Sequence, residues 1–239
     1  MFSWTQIRIF CAVLLLVPVV HFAYLLSRET IATLDASPDA WASEMEAYAT
    51  ADSANHLPED PVVVVGGRRV KLWRDLPDML ADKPVLMRGL GDATVEDITK
   101  NYERLIGFYR PEIVIFLPGN SEFHIRDGKS ANEFIKAAQA LIDIDSAHGI
   151  TRQFYLISPI KTPLYRGDFA KIDEISRDMA AWADRHSKVT YLDVNPILQT
   201  SDGGPNPRYF RNDGVNLNDG GYARLSLLLK ADIEGRLKG

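Results

Sequence analysis

Residues 62–73 read VVVVGGRRVKLW. Four consecutive β-branched valines form a continuous apolar run, the pattern of a strand buried on both faces of a parallel sheet. The run stops at Gly66 and Gly67, and a helical pattern follows. A strand that ends in a glycine turn and feeds a helix marks the carboxyl edge of an α/β sheet, where ligands bind. At this turn the tip carries Arg68 and Arg69, with no Ser, Cys, Asp or His.

Similar runs recur along the chain. Residues 61–65, 84–88, 113–117, 153–158 and 189–194 are each short, apolar and continuous. Between them lie helical patterns. Thr94 and Asp97 open one that carries Ile98, Leu105 and Ile106 on its buried side. Ser130 and Glu133 form a capping box ahead of Phe134, Ala138, Leu141 and Ile142, and Gly149 supplies the stop. Ile172, Ile175, Met179 and Trp182 make a third stripe. Asn218 caps a last helix with Tyr222, Leu225 and Leu229 facing inward. Alternation of this kind predicts a three-layer αβα domain over 61–239, built on a five-stranded parallel sheet of flavodoxin-like type.

Upstream of that domain the chain divides three ways. Residues 1–8 are a short tail. Residues 9–26, IFCAVLLLVPVVHFAYLL, are 18 positions without a formal charge, bracketed by Arg8 and Arg28. A spanning helix needs about 17–25 apolar residues, so an uncleaved membrane anchor is expected. A cleavable signal is the competing reading; the run is long for a signal core and no A-x-A site follows it. Pro18 is tolerable in a membrane helix. Arg8 and Arg28 nearly balance, and the short tail favours a cytoplasmic N-terminus with the domain outside. Residues 27–60 form an acidic, Ala-rich connector with one short helix over 38–50.

Composition narrows the function classes. The chain has 239 residues, 46 % hydrophobic and 25 % charged, with a net charge of −5. That is globular composition without the basic surface a nucleic-acid partner needs. Cys11 is the single cysteine, so no intramolecular disulfide or cysteine metal site forms. No metal-ligand spacing is present, and neither a metal nor a cofactor is expected.

The residues after each strand resemble the SGNH (GDSL-type) hydrolases over nearly all of 61–239. VVGGRRVKLW stands where those proteins have a G-D-S or G-S-S turn. RGLGDAT (88–94) is similar to a second block, PGNSEF (118–123) to a G-x-N-D block, and DGVNLNDGGY (213–222) to a D-G-L-H-L-N-x-x-G-Y block. The resemblance implies ester hydrolysis by a serine and a histidine, with an oxyanion hole made by amides and an asparagine. Carried over, the nucleophile position is Arg68, following Gly67, and the block-two glycine is Gly91. The block-three asparagine falls on Ser121, or on Asn120 with a one-residue shift. The base position is Asn216, and its orienting acid is kept as Asp213.

Arginine offers only donors, and asparagine cannot cycle a proton near neutral pH. The resemblance therefore implies a frame without its catalytic pair. A relocated pair, Ser121 with His124, is the alternative that would keep an esterase or acyltransferase active. Ser158 reads as a strand-end hydrogen bonder, and His56, His148 and His186 take no role. Arg68 then has two readings. It plugs the old pocket against Asp213, or against Glu122 or Asp92; or it holds an anion with Gly67, Gly91, Asn120, Ser121, Asp213 and Asn216 around it. SGNH-like domains on a single anchor are familiar in acylation of bacterial envelope polysaccharides. An envelope protein in the cell membrane with a periplasmic domain is thus implied, with an anionic or glycan ligand or an envelope acyltransferase as partner.

Overall fold

The structure, a computed structural model, describes residues 3–34, 38–124 and 128–237. The valine run becomes the centre of the sheet. Strand β1 (Val62–Gly66) is buried along its whole length and pairs in parallel with β2 (Val85–Gly89) on one side and β3 (Ile113–Leu117) on the other. Strands β4 (Gln153–Ile157) and β5 (Val189–Leu192) extend it, giving the order β2-β1-β3-β4-β5, all parallel. The order reverses direction beside β1, so β1 and β3 flank the switch point where open α/β sheets bind ligands.

Successive side chains of a strand point to opposite faces, and the valines divide accordingly. Val63 and Val65 enter one core with Val114, Phe116, Phe154 and Leu156. Val62 and Val64 enter the other with Ile113, Ile115, Leu117 and Tyr155. Helices α5 (Val95–Lys100), α6 (Tyr102–Leu105), α8 (Ala131–His148) and α9 (Phe169–Ala183) cover the first face. The second is covered by α3 (Arg68–Leu72), α4 (Leu76–Met79) and α10 (Asp219–Leu237). One further turn of helix, α7 (Ser121–His124), follows β3.

The capping signals act as the sequence predicts. Ser130 and Glu133 exchange bonds at the start of α8, and Gly149 ends it in the left-handed region at φ 70°. Asn218 accepts from the Gly221 amide at 3.0 Å ahead of the Tyr222, Leu225, Leu229 stripe. The pattern after Thr94, expected as one helix, breaks at Asn101 into α5 and α6. Asn101 Nδ2 donates to the Asp97 carbonyl at 2.9 Å, and such local bonding competes with the helical ladder.

Upstream, α1 (Trp4–Leu34) carries Pro18 within it and α2 (Ala42–Ala54) follows a 3-10 turn at Pro38–Trp41. Among the described residues no helix is long and apolar enough to cross a membrane. The uncharged run 9–26 includes Ile9 and Ala12, whose side chains lie outside the described residues. The connector is part of the folded unit, which extends upstream of the boundary expected at residue 61. Trp41 is 2 % exposed and Met45 4 %, and both join the core on the β2 side of the sheet. Trp41, Met45, Tyr48 and Asp52 recur at helical spacing and face the domain, so α2 docks by one stripe.

Removing Trp41 leaves a large void in that core. Trp41→Ala is expected to cost about 3–5 kcal/mol, the range for truncating a buried aromatic, measured by denaturant unfolding of the full chain. A cost below about 1 kcal/mol would show that the connector is not part of the cooperative unit.

Candidate functional site

Gly66 sets the geometry of the strand end. Its φ is 146°, and a Cβ built there would lie 2.2 Å from the Leu117 carbonyl oxygen. Only glycine lets β1 turn so close to β3. Gly67 caps α3, with a Cβ position 3.0 Å from the Ala93 carbonyl, and Arg68 follows as the first helical residue. This helix is only five residues long, so its dipole adds little charge at the turn.

Arg68 pairs with Asp92, in the turn after β2. Its Nε donates to Oδ1 at 3.0 Å and its Nη2 to Oδ2 at 2.8 Å, a fork on a carboxylate. Asp213, named first as the expected partner, is not the one found. It lies in the loop before α10, where it is held by its neighbours, whereas β2 runs directly beside β1 and delivers Asp92 to the tip. Glu122, the other alternative, is drawn into the core. It accepts from the Val95 amide at 2.8 Å and from Lys129 Nζ at 2.6 Å. Burial raises its pKa to about 7, against the opposing pull of Lys129.

Asp213 and Asn216, the positions the resemblance gives to an orienting acid and its base, are hydrogen-bonded to each other. Asp213 Oδ2 accepts from Asn216 Nδ2 at 2.8 Å, and Oδ1 accepts from the amides of Val215 and Asn216. Burial alone would raise the Asp213 pKa; the bonds from Asn216 and Val215 outweigh it and hold the carboxyl below its ordinary value. Asp213 thus fixes the Asn216 side-chain amide, a group that does not take up a proton near neutral pH.

The amide of Gly91 is occupied from within the chain. It donates to Glu44 Oε2 of α2 at 2.9 Å, while Glu44 Oε1 accepts from Lys71 Nζ at 3.0 Å. Trp41 covers the same glycine: a Cβ there would lie 2.4 Å from its ring, and φ is 23°. Ser121, buried at 3 %, donates from Oγ to the Ala93 carbonyl at 3.2 Å. His124 meets Asp168 through Nε2 at 2.6 Å and stacks on Tyr165. Ser121 and His124 therefore have separate partners and share no hydrogen bond. Ser158 accepts from the Val194 amide and Asn195 Nδ2, the structural role expected of it.

One residue of the site escapes a reading of the sequence. Arg69 is 2 % exposed. Its Nη1 donates to the Pro118 carbonyl at 3.0 Å and its Nη2 to Asn120 Oδ1 at 3.1 Å, so both acceptors are neutral. Burial lowers its pKa to about 10, with Tyr222 and Asp213 pulling the other way. Arg69 Nε and Asn120 Nδ2 are buried without a protein partner. The signal was available in principle. One step along a helix rotates a side chain by about 100°, so if Arg68 lies at the rim, Arg69 turns toward the sheet. Among the described residues, no group of three or more His, Cys, Asp or Glu is placed to hold a metal ion.

The structure thus brings Gly67, Arg68, Gly91 and Ser121 together around the β2 turn, with Asn120 joined to them through Arg69. The Arg68 and Asp92 side chains are 43 % and 28 % exposed. Solvent-exposed pairs contribute about 0–1 kcal/mol. Arg68→Ala should therefore lower stability by about 1 kcal/mol or less in a denaturant melt, far from the ~3–5 kcal/mol that breaking a fully buried pair costs.

No protein-family model matches the chain, and no curated protein matches it in sequence. Solved structures do. A GDSL-like lipase from Bacteroides thetaiotaomicron superposes with a TM-score of 0.67 at 22 % identity, over 80 % of this chain and 98 % of that one. The lipase/acylhydrolase from Enterococcus faecalis gives 0.61 at 18 %, over 74 % and 96 %. A carbohydrate esterase family 3 protein from Talaromyces cellulolyticus gives 0.60 at 15 %, over 74 % and 98 %. At such identities the likeness is one of architecture. The five-stranded parallel sheet, its strand order and these neighbours give one conclusion: the chain has the fold of the SGNH (GDSL-type) hydrolases.

Proposed function

We propose that this protein is a membrane-anchored SGNH-fold protein that has lost ester hydrolysis and acts by binding or scaffolding at the cell envelope. The observation that carries this reading is the tip of the first turn. Where the fold places a nucleophile, Arg68 holds a carboxylate in a fork. A guanidinium stays protonated and has no lone pair to offer a carbonyl. The rest of the site agrees with it. The base position is Asn216, and the Gly91 amide is already hydrogen-bonded to Glu44.

The anchor is assigned to α1. Its uncharged run of 18 residues is about 27 Å long as a helix, close to the ~30 Å of a bilayer core. Phe10, Val13 to Val17, Val19, Val20, Phe22, Leu25 and Leu26 are all exposed, a continuous apolar surface that water does not favour. In this reading the N-terminus lies in the cytoplasm and the domain in the periplasm. An anionic or glycan ligand, or an envelope acyltransferase, is the partner this placement suggests.

The test is hydrolysis of a short acyl ester by the full chain in detergent, beside Ser121→Ala and His124→Ala. No turnover above buffer is expected from protein that melts cooperatively. Turnover that both substitutions abolish would establish a relocated nucleophile and overturn the reading. Retention of the chain in membranes after an alkaline wash is expected for the anchor; release into the wash would remove it.

A further inference from the structure

The connector helix carries a carboxylate to a place built to receive one. Glu44 Oε2 accepts from the Gly91 amide at 2.9 Å, and Oε1 accepts from Lys71 Nζ at 3.0 Å. The two donors belong to different elements, the turn after β2 and the helix after β1, and they converge on the two oxygens of one carboxylate. Nearby charge favours a monoanion. Asp92, next to Gly91 in the chain, is paired with Arg68, so Lys71 is the cation that meets the bound group directly. A dianion such as phosphate would have one ammonium for two charges, beside an aspartate.

Glu44 does not arrive alone. On the same face of α2, Trp41 covers Gly91, Tyr48 donates to the Gly89 carbonyl, and Asp52 pairs with Arg88 at 2.6 Å. The docking has a cost as well as contacts. Trp41 Nε1 is buried without a protein partner, and a buried donor without an acceptor loses its hydration uncompensated. An arrangement in which α2 lifts away regains that bond with water. Glu44 and Lys71 are 28 % and 43 % exposed at their side chains, so the site opens to solvent at one side.

We propose that the Gly91 amide and the Lys71 ammonium form a carboxylate-binding site, that Glu44 is its occupant within the chain, and that a carboxylate-bearing ligand displaces Glu44 and loosens α2. This deepens the binding role proposed above by naming a ligand class, and its test reads binding rather than turnover. If the ester assay overturned the loss of catalysis, the site would still stand or fall on the measurements that follow.

The probes are acetate and glucuronate, each titrated against the full chain in detergent at ionic strength held constant with chloride. Glu44→Ala should lower the Tm by about 2–4 °C, as loss of ~1 kcal/mol does in a domain of this size. Both carboxylates should then restore most of that loss by mass action. Wild type should gain less than Glu44→Ala, because Glu44 competes for the site, and Glu44→Ala combined with Lys71→Met should not be restored. Glu44→Gln keeps an acceptor on the Gly91 amide and should respond less than Glu44→Ala. Half-restoration at lower glucuronate than acetate supports the site and assigns it to sugar carboxylates; equal concentrations support it for carboxylates in general.

Equal shifts in all variants, or none in Glu44→Ala, would overturn the proposal. A second readout serves if Glu44→Ala does not fold. In wild type, high acetate should speed hydrogen exchange of the α2 amides and leave the β1 and β3 amides protected. Unchanged exchange in α2 would also overturn it.

Discussion

Everything at the carboxyl edge of this sheet depends on the close passage of Gly66 beside the backbone of β3. The carbonyl of Leu117 stands where a side chain would begin, and the Gly66 carbonyl accepts from the Leu90 amide at 2.9 Å on the other side. The central strand is thus clamped to both neighbours at the point where it turns. A Cβ here would force β1 from β3 and move every group that the following helix carries. Because the turn is this tight, the next residues diverge at once. Arg68 goes to the rim and Arg69 to the interior.

Three cations on a five-residue helix would repel one another unless each found a separate answer. Arg68 finds the carboxylate of Asp92, from the turn after the adjacent strand. Lys71 finds Glu44, from a helix that precedes the sheet. Arg69 is the costly case, a buried guanidinium satisfied only by a carbonyl and an amide oxygen. The same contacts that settle these charges engage the groups at the strand end within the chain. The tip is a forked ion pair, the Gly91 amide is bonded to Glu44, and Asp213 holds the Asn216 side chain.

The frame was legible because its signals are local. Continuous apolar runs mark the strands, and Ser130 with Glu133 and Gly149 bounds α8, as propensity and capping require. Four short blocks in order pointed to the hydrolase architecture, which the solved structures share. The residue types at Arg68 and Asn216 were also legible, since residue type alone decides whether a group can accept a proton. The partners were not. Arg68 had three candidate carboxylates at separations of 24, 54 and 145 in sequence, and nothing local ranks them. Strand order sets the turns after β2 and β3 beside the β1 turn, and the burial of Glu122 with Val95 and Lys129 leaves Asp92.

The connector is the clearest division between the two kinds of information. Its acidic, alanine-rich composition reads as a solvated spacer, and Trp41 and Met45 amid polar residues do not change that average. Folding does, because the stripe from Trp41 to Asp52 meets Gly91, the Gly89 carbonyl, Arg88 and Tyr109, groups that lie far downstream. By itself the sequence determined the layers, the strands, the caps and which residue types stand at the strand ends, since these follow from periodicity and side-chain chemistry. Only the tertiary structure decided which carboxylate meets which cation, and that Glu44 fills the amide of Gly91. Those choices depend on distances between segments that share no local pattern.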